Sequence, residues 1–120
     1  MPLILVVDDA KTMRDALKGA LIPAGFDVVE AENGEQGLEM LAQHPVDLVI
    51  SDLNMPGMDG LTMCSHIKEQ GRNTPIFMLT TQTSPELKAK AKDFGVVAWI
   101  VKPHKDEVLL QGIRKVLKLA

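Results

Sequence analysis

The sequence predicts an α/β protein built as a doubly wound parallel sheet of five strands and five helices, with strand order 2-1-3-4-5. Three observations carry this prediction. Short apolar runs rich in branched residues alternate five times with segments of helical period, the pattern of repeated right-handed β-α-β crossovers. Four of the runs are apolar without regular alternation, Asp47 being the one polar residue within them, as strands covered by helices on both faces of a parallel sheet are. For five such strands, 2-1-3-4-5 is the common order.

The elements follow one another along the chain. Leu3–Val7 is the first strand, and Met13, Leu17, Ala20, Leu21 and Ala24 then fall on one helical face. Asp27–Ala31 is a weaker second strand. Asn33 is placed to cap the second helix, with Gln36 three residues on as the other half of a capping box and Leu38, Leu41 and Ala42 facing inward. Val46–Ile50 is the third strand. Asp59 caps a third helix whose apolar stripe is Leu61, Cys64 and Ile67. After the fourth strand, Pro75–Leu79, Ser84 and Pro85 read as N-cap and first-turn proline. Leu87, Ala91 and Phe94 share a face and Gly95 closes that helix. Val96–Val101 is the fifth strand, expected to be buried on both faces, and Leu109, Ile113, Val116 and Leu117 mark the last helix.

A length of 120 residues predicts a single domain over 1–120. Apolar residues at 46% and charged residues at 24% exclude a disordered or fibrous chain. Thirteen basic against sixteen acidic side chains leave a net charge of -3, which argues against nucleic-acid binding over the whole surface. The apolar runs are far shorter than the roughly 20 residues of a membrane span. The N-terminus carries no basic segment of the signal-peptide kind, and one cysteine, Cys64, fits a reducing cytoplasm. The charge is uneven: residues 1–84 hold five basic and twelve acidic side chains, residues 85–120 eight and four. Lys88, Lys90, Lys92, Lys105, Lys115 and Lys118 lie on or near the last two helices, forming either a solvated face or a surface for an acidic partner. Met40 and Met78 read as core, Met55 and Met58 as part of a loop. His44, His66 and His104 lack metal-ligand spacing and read as surface residues. Cys64 reads as inert on an apolar face.

In a sheet of this order the functional crevice lies at the carboxyl ends of the strands, where strands 1 and 3 are neighbours. Strand 1 ends in Asp8 and Asp9, strand 3 in Asp52, strand 4 in Thr80 and Thr81, and strand 5 in Lys102 and Pro103. Three converging carboxylates repel one another unless a cation sits among them, and an all-oxygen donor set suits Mg²⁺. Lys102 adds a positive charge and Thr80 a hydroxyl. Together they form a site for a phosphoryl group, and one carboxylate can serve as the nucleophile that carries it. Each residue also has a plainer role: Asp8 and Asp9 as caps of the first helix, Asp52 as a turn residue, Thr80 as a strand-end hydroxyl, Lys102 as a solvated charge. It is their joint occurrence at four strand ends that favours chemistry.

The sequence resembles the receiver domains of bacterial two-component response regulators, and most closely the single-domain members that act in chemotaxis. The likeness covers essentially the whole chain. It rests on Val6–Asp9 followed by Thr12–Arg14, on Val49–Gly60 (Val-Ile-Ser-Asp-Leu-Asn-Met-Pro-Gly-Met-Asp-Gly), on Leu79–Thr80 and on Val101–Pro103, in that order. The resemblance implies a flavodoxin-like fold. It implies that Asp52 accepts a phosphoryl group from a phosphohistidine on a sensor histidine kinase (CheA-like), and that Asp8, Asp9, Asp52 and the backbone carbonyl of Asn54 hold Mg²⁺, for which Mn²⁺ substitutes. Thr80 and Lys102 contact the phosphoryl oxygens, and the Lys102–Pro103 peptide is cis. The family also implies a switch in which Thr80 and an aromatic residue, here Trp99, move together and alter the surface of helix 4, strand 5 and helix 5.

The chain departs from the family pattern in several places. Trp99 replaces the commoner Tyr or Phe and reads equally as a packing residue. Thr81 stands where Ala or Gly is usual, His104 replaces a frequent Phe, and Asn54, Thr81 and Gln82 occupy positions that tune dephosphorylation. The implied partners are the kinase, a phosphatase and a downstream protein such as a flagellar motor switch component. No nucleic acid or membrane is expected, and the protein is expected to be a monomer. It would be no enzyme toward a separate substrate, catalysing only its own phosphorylation and dephosphorylation. A phosphorelay intermediate or adaptor outside chemotaxis is the alternative. A haloacid-dehalogenase-type phosphohydrolase fits less well, because Asn54 stands where that family needs a second Asp.

Overall fold

In the computed structural model, which describes residues 1–119, the elements run β1 (Leu3–Val7), α1 (Lys11–Leu21), β2 (Asp27–Ala31), α2 (Gly34–Gln43), β3 (Leu48–Ser51), α3 (Gly60–Glu69), β4 (Ile76–Thr80), α4 (Pro85–Asp93), β5 (Val96–Val101) and α5 (Asp106–Val116). All four strand pairings are parallel, in the order β2-β1-β3-β4-β5. This is the predicted topology. β3 and β4 begin one or two residues later than the sequence reading placed them. Val46 lies before the ladder, and Pro75, which has no N–H to give, joins it only as acceptor from Val49 N–H at 3.0 Å.

The sheet separates two apolar layers, because successive side chains on a strand point to opposite faces. Leu5, Val7, Val49, Ile76 and Met78 meet Leu41, Met63, Cys64, Ile67 and Ala91 on one side. Ile4, Val6, Leu48, Ile50, Phe77 and Leu79 meet Leu17, Leu21, Leu109 and Ile113 on the other. β1, β3 and β4 are buried on both faces, as their unbroken apolar runs require.

β5 is not. Val97 keeps 57% of its surface exposed and Val101 38%. β5 is an edge strand, paired on one side only, and the nine-residue α4 that adjoins it buries only Ala91 fully. A run of branched residues thus reads the same in sequence whether it is central or at an edge. Ala42, expected to face inward, is exposed; α2 instead buries Gly34, Gly37 and Leu41. Gly37 lets the helix close on α3 and β1, since a Cβ there would lie 2.7 Å from Met63 Sδ and 3.3 Å from a Val7 methyl.

The helix caps are where the sequence places them. Asn33 Oδ1 accepts from Gln36 N–H (2.9 Å), Asp59 Oδ1 from Thr62 N–H (2.7 Å) and Ser84 Oγ from Leu87 N–H (3.4 Å). The Gln36 side chain reaches one residue further back than a capping box would have it, accepting from Glu32 N–H at 3.0 Å. Gly95 follows α4 at φ +90°, a left-handed turn that glycine adopts without Cβ strain.

Candidate functional site

The carboxyl ends of β1, β3, β4 and β5 open on one edge of the sheet, and the backbone there is tightly fixed. Asp8 N–H donates to Ala31 O (3.1 Å), Asp52 N–H to Val7 O (2.9 Å) and Lys102 N–H to Thr80 O (2.8 Å). Each ladder therefore extends one residue past its strand and sets the first polar residue beyond it.

Carboxylate oxygens of Asp8, Asp9 and Asp52 all lie within 4.8 Å of one another. Asp8 is almost wholly buried, Asp52 partly buried and Asp9 exposed. Lys102 Nζ sits between the two inner carboxylates, 3.3 Å from Asp8 Oδ2 and 3.4 Å from Asp52 Oδ2. The other Asp52 oxygen accepts from Leu53 N–H at 2.7 Å. Burial pushes the Asp8 carboxyl above its ordinary range, and the Asp52 charge adds to this; Ala10 N–H and the Lys102 ammonium pull the other way. One lysine thus faces three carboxylates. The remaining negative charge and the all-oxygen donor set fit a hard divalent ion such as Mg²⁺.

Neither aspartate of the acidic pair caps α1. The N-cap position is Ala10, without a side-chain bond, and Asp8 Oδ1 instead accepts from Ala10 N–H at 2.9 Å. This leaves Asp9 directed toward solvent beside Asp52.

The loop after β3 is held by a glycine contact. Gly60 N–H donates to Leu53 O (2.8 Å), and a Cβ on Gly60 would lie 2.2 Å from the Asp52 carbonyl oxygen. Only glycine lets the start of α3 come this close to Asp52. From α2, Glu35 Oε1 accepts from Met58 N–H at 3.1 Å and ties the same loop from the opposite side. Asn54 lies exposed within it.

Thr80 is buried at the end of β4, and its Oγ1 accepts from Gln82 N–H at 3.3 Å. Gln82 O in turn accepts from Trp99 Nε1–H at 2.9 Å. Trp99 is half-buried and packs against the α2–α3–α4 layer. Thr81 and Gln82 are exposed beside the site. The Lys102–Pro103 peptide is cis, as the resemblance implies.

His104 corrects the surface reading. Its side chain keeps only 11% of its area exposed, and Nε2, 3.3 Å from Asp106 Oδ1, is shielded from solvent without a hydrogen bond. Cys64 is buried as expected, and burial pushes its thiol up to about 12, so it is inert.

Residues 4–114 match the response regulator receiver domain family. The chain is a response regulator receiver domain. Among its relatives, this receiver is 40% identical over 115 residues to the chemotaxis protein CheY of Bacillus subtilis, covering 95% of this chain and 96% of that one. It is 34% identical over 115 residues to the response regulator MprA of Mycobacterium sp. (strain KMS), covering 96% of this chain but only half of MprA. In solved structures, the receiver superposes on Vibrio cholerae CheY4 with a TM-score of 0.91 and 38% identity, over 97% of this chain and 98% of that one. It matches a CheY-like receiver from Methanospirillum hungatei with a TM-score of 0.93 and 26% identity, over 98% and 94%.

The structure thus brings Asp8, Asp9, Asp52, Thr80 and Lys102 to one edge of the receiver, all predicted from strand ends. Sequence reasoning missed the residues that hold them. Arg14 Nη1–H donates to Asp8 O (2.6 Å) and its Nε–H to Glu30 Oε1 (3.2 Å). Arg14 and Gly60 stand within the segments that carry the resemblance, but nothing local marks what they or Glu30 and Glu35 hold; their partners are 6 to 23 residues away.

Proposed function

We propose that this receiver is a phosphorylation-operated switch that takes a phosphoryl group from a sensor kinase phosphohistidine onto Asp52 and passes the signal on by docking. The observation that carries this is the Asp52 carboxylate, held 3.4 Å from Lys102 Nζ with oxygens of Asp8 and Asp9 within 4.8 Å. In the transfer, an Asp52 oxygen forms the new P–O bond as the P–N bond breaks, and the imidazole leaves to take up a proton. A Mg²⁺ ion held by Asp8, Asp9, Asp52 and the Asn54 carbonyl would supply charge neutralisation for the phosphoryl oxygens. Lys102 shares that work and needs no reorganisation, because it is already placed between Asp8 and Asp52. Leu53 N–H orients the second Asp52 oxygen. The protein acts on itself and turns over no separate substrate.

The output follows from the chain of bonds Thr80–Gln82–Trp99. A phosphoryl group that accepts from the Thr80 O–H draws Oγ1 away from the Gln82 N–H that donates to it, and Gln82 carries the change to the indole. Trp99 lines a groove of about 470 Å³ between α4 and β5, with Lys88, Lys92 and the exposed Val97 on its walls. Two lysines beside apolar surface favour a partner segment with acidic and apolar residues. Likeness to the Bacillus CheY over nearly its full length supports a chemotaxis role in the cytoplasm, with a motor switch component as target and a phosphatase resetting the signal. No helix among the described residues is long and apolar enough to cross a membrane.

Acetyl phosphate or a phosphohistidine kinase domain with Mg²⁺ is expected to label the wild-type protein and not Asp52→Ala. Labelling of that variant at another residue refutes the assignment. Capture of partners by the beryllofluoride-loaded protein then separates chemotaxis from a phosphorelay role: a motor component supports the first, a histidine phosphotransfer domain the second.

A further inference from the structure

Two of the three cations on α1 have opposite surroundings. The Lys11 side chain is 77% exposed, whereas Arg14, one turn on, keeps only 12%. The buried guanidinium is forked. Nη1–H donates to the Asp8 carbonyl at 2.6 Å and Nε–H to Glu30 Oε1 at 3.2 Å. Glu30 lies on β2 beside Val6 of β1, and its other oxygen accepts from Lys18 Nζ at 2.9 Å. The Lys18 ammonium, then Arg14, hold the Glu30 carboxyl below its ordinary range, so it is a fixed anion against which the guanidinium is braced.

The contact on Asp8 is to the main chain. The Asp8 carbonyl and the Asp9 N–H belong to one rigid peptide plane, so whatever fixes that oxygen fixes where Asp9 begins. Every other polar group of Asp8 is also held: N–H by Ala31 O, Oδ1 by Ala10 N–H and Oδ2 by Lys102 Nζ. Asp9 is the exposed member of the acidic trio, and it depends on this plane for its direction.

We propose that Arg14, braced by Glu30, is a positioning residue: it locks the Asp8–Asp9 peptide plane so that the Asp9 carboxylate is presented to a divalent cation shared with Asp8 and Asp52. This rests on the reading of the three carboxylates as a cation site. Lysine cannot take the place of Arg14, since one ammonium cannot serve the Asp8 carbonyl and Glu30 in the fixed fork geometry. Groups that orient metal ligands from behind typically control about 10- to 100-fold in metal affinity.

The test is Mn²⁺ titration of the metal-free full chain by paramagnetic resonance, with amide NMR of the same samples before metal is added. Arg14→Lys keeps the charge. It is expected to weaken Mn²⁺ binding about tenfold and to move the Asp9 and Ala10 amide resonances, while those of Ile113 on the far layer stay in place. Glu30→Gln is expected to act in the same direction, and the exposed-charge control Lys11→Gln to leave Mn²⁺ binding and the Asp9 amide resonance unchanged. Wild-type affinity in Arg14→Lys with unmoved Asp9 resonances overturns the positioning role. So does an equal loss in Lys11→Gln, which would make the effect one of net charge. Wild-type protein that binds no Mn²⁺ overturns the cation reading itself, a separate failure; the Asp9 resonances of Arg14→Lys then decide alone whether Arg14 holds the peptide plane.

Discussion

Gly60→Ala adds one methyl group at the point where α3 begins beside the phosphoacceptor candidate Asp52. The new Cβ would lie 2.2 Å from the Asp52 carbonyl oxygen and 3.1 Å from both its carbonyl carbon and Leu53 Cα, against about 3.5 Å for a comfortable carbon contact. All three atoms are backbone, so no side chain can swing aside. Either the start of α3 or the Asp52–Leu53 segment must move by roughly 1 Å. Overpacking of this kind costs about 3 kcal/mol at the upper end of its usual range. At about 0.25 kcal/mol per kelvin for a chain of this length, that is a fall in Tm of about 12 °C. Gly19→Ala is the matched control. Gly19 is exposed in α1 with nothing within 4 Å of its would-be Cβ, and alanine there is expected to raise stability by about 1 kcal/mol, or about 4 °C. Calorimetry gives both numbers, and labelling by acetyl phosphate at a temperature where Gly60→Ala is still folded reports whether Asp52 has moved. A Gly60→Ala protein that melts within a degree or two of wild type and labels at the same rate would refute the argument that this glycine sets the loop against Asp52.

Two further outcomes follow from the same geometry. Trp99→Phe keeps an aromatic ring but removes the Nε1–H bond to Gln82 O; it is expected to cost about 1 kcal/mol and to speed hydrogen exchange at Gln82, and unchanged exchange there would show that the indole does not brace the β4–α4 loop. The lowered Glu30 carboxyl sets a pH dependence: its ion pairs with Lys18 and Arg14 contribute fully above the unfolded carboxyl range and are lost as pH falls through the lower folded value. The pair is a third exposed on each side, so the gap in stability between wild type and Glu30→Gln is expected to be at most about 1 kcal/mol at pH 7 and to narrow as pH falls below the ordinary carboxylate range; a gap that stays constant as the pH is lowered would contradict the assignment.

What could be read without the structure was whatever depends on near neighbours along the chain or on the topology those neighbours imply. The caps Asn33, Asp59 and Ser84 bond three residues ahead, so their patterns are complete within a single turn. The apolar runs of β1, β3 and β4 are unbroken because helices cover both faces. Once their order is known, the residues that end them must meet, and Asp8, Asp9, Asp52, Thr80 and Lys102 do. Tertiary structure alone decided what depends on partners far along the chain. β5 reads like a central strand, yet Val97 and Val101 are exposed because, among the described residues, no strand pairs with its outer edge and the short α4 covers little of it. His104 reads as a surface residue, yet its ring is enclosed. Arg14 finds Glu30 sixteen residues away and Glu35 finds Met58 twenty-three residues away, distances over which a single charged side chain leaves no periodic trace. The groups that could do chemistry were legible because sheet topology dictates where strands end; the groups that hold them in place were not, because their contacts exist only once α1 and α2 have packed against the sheet.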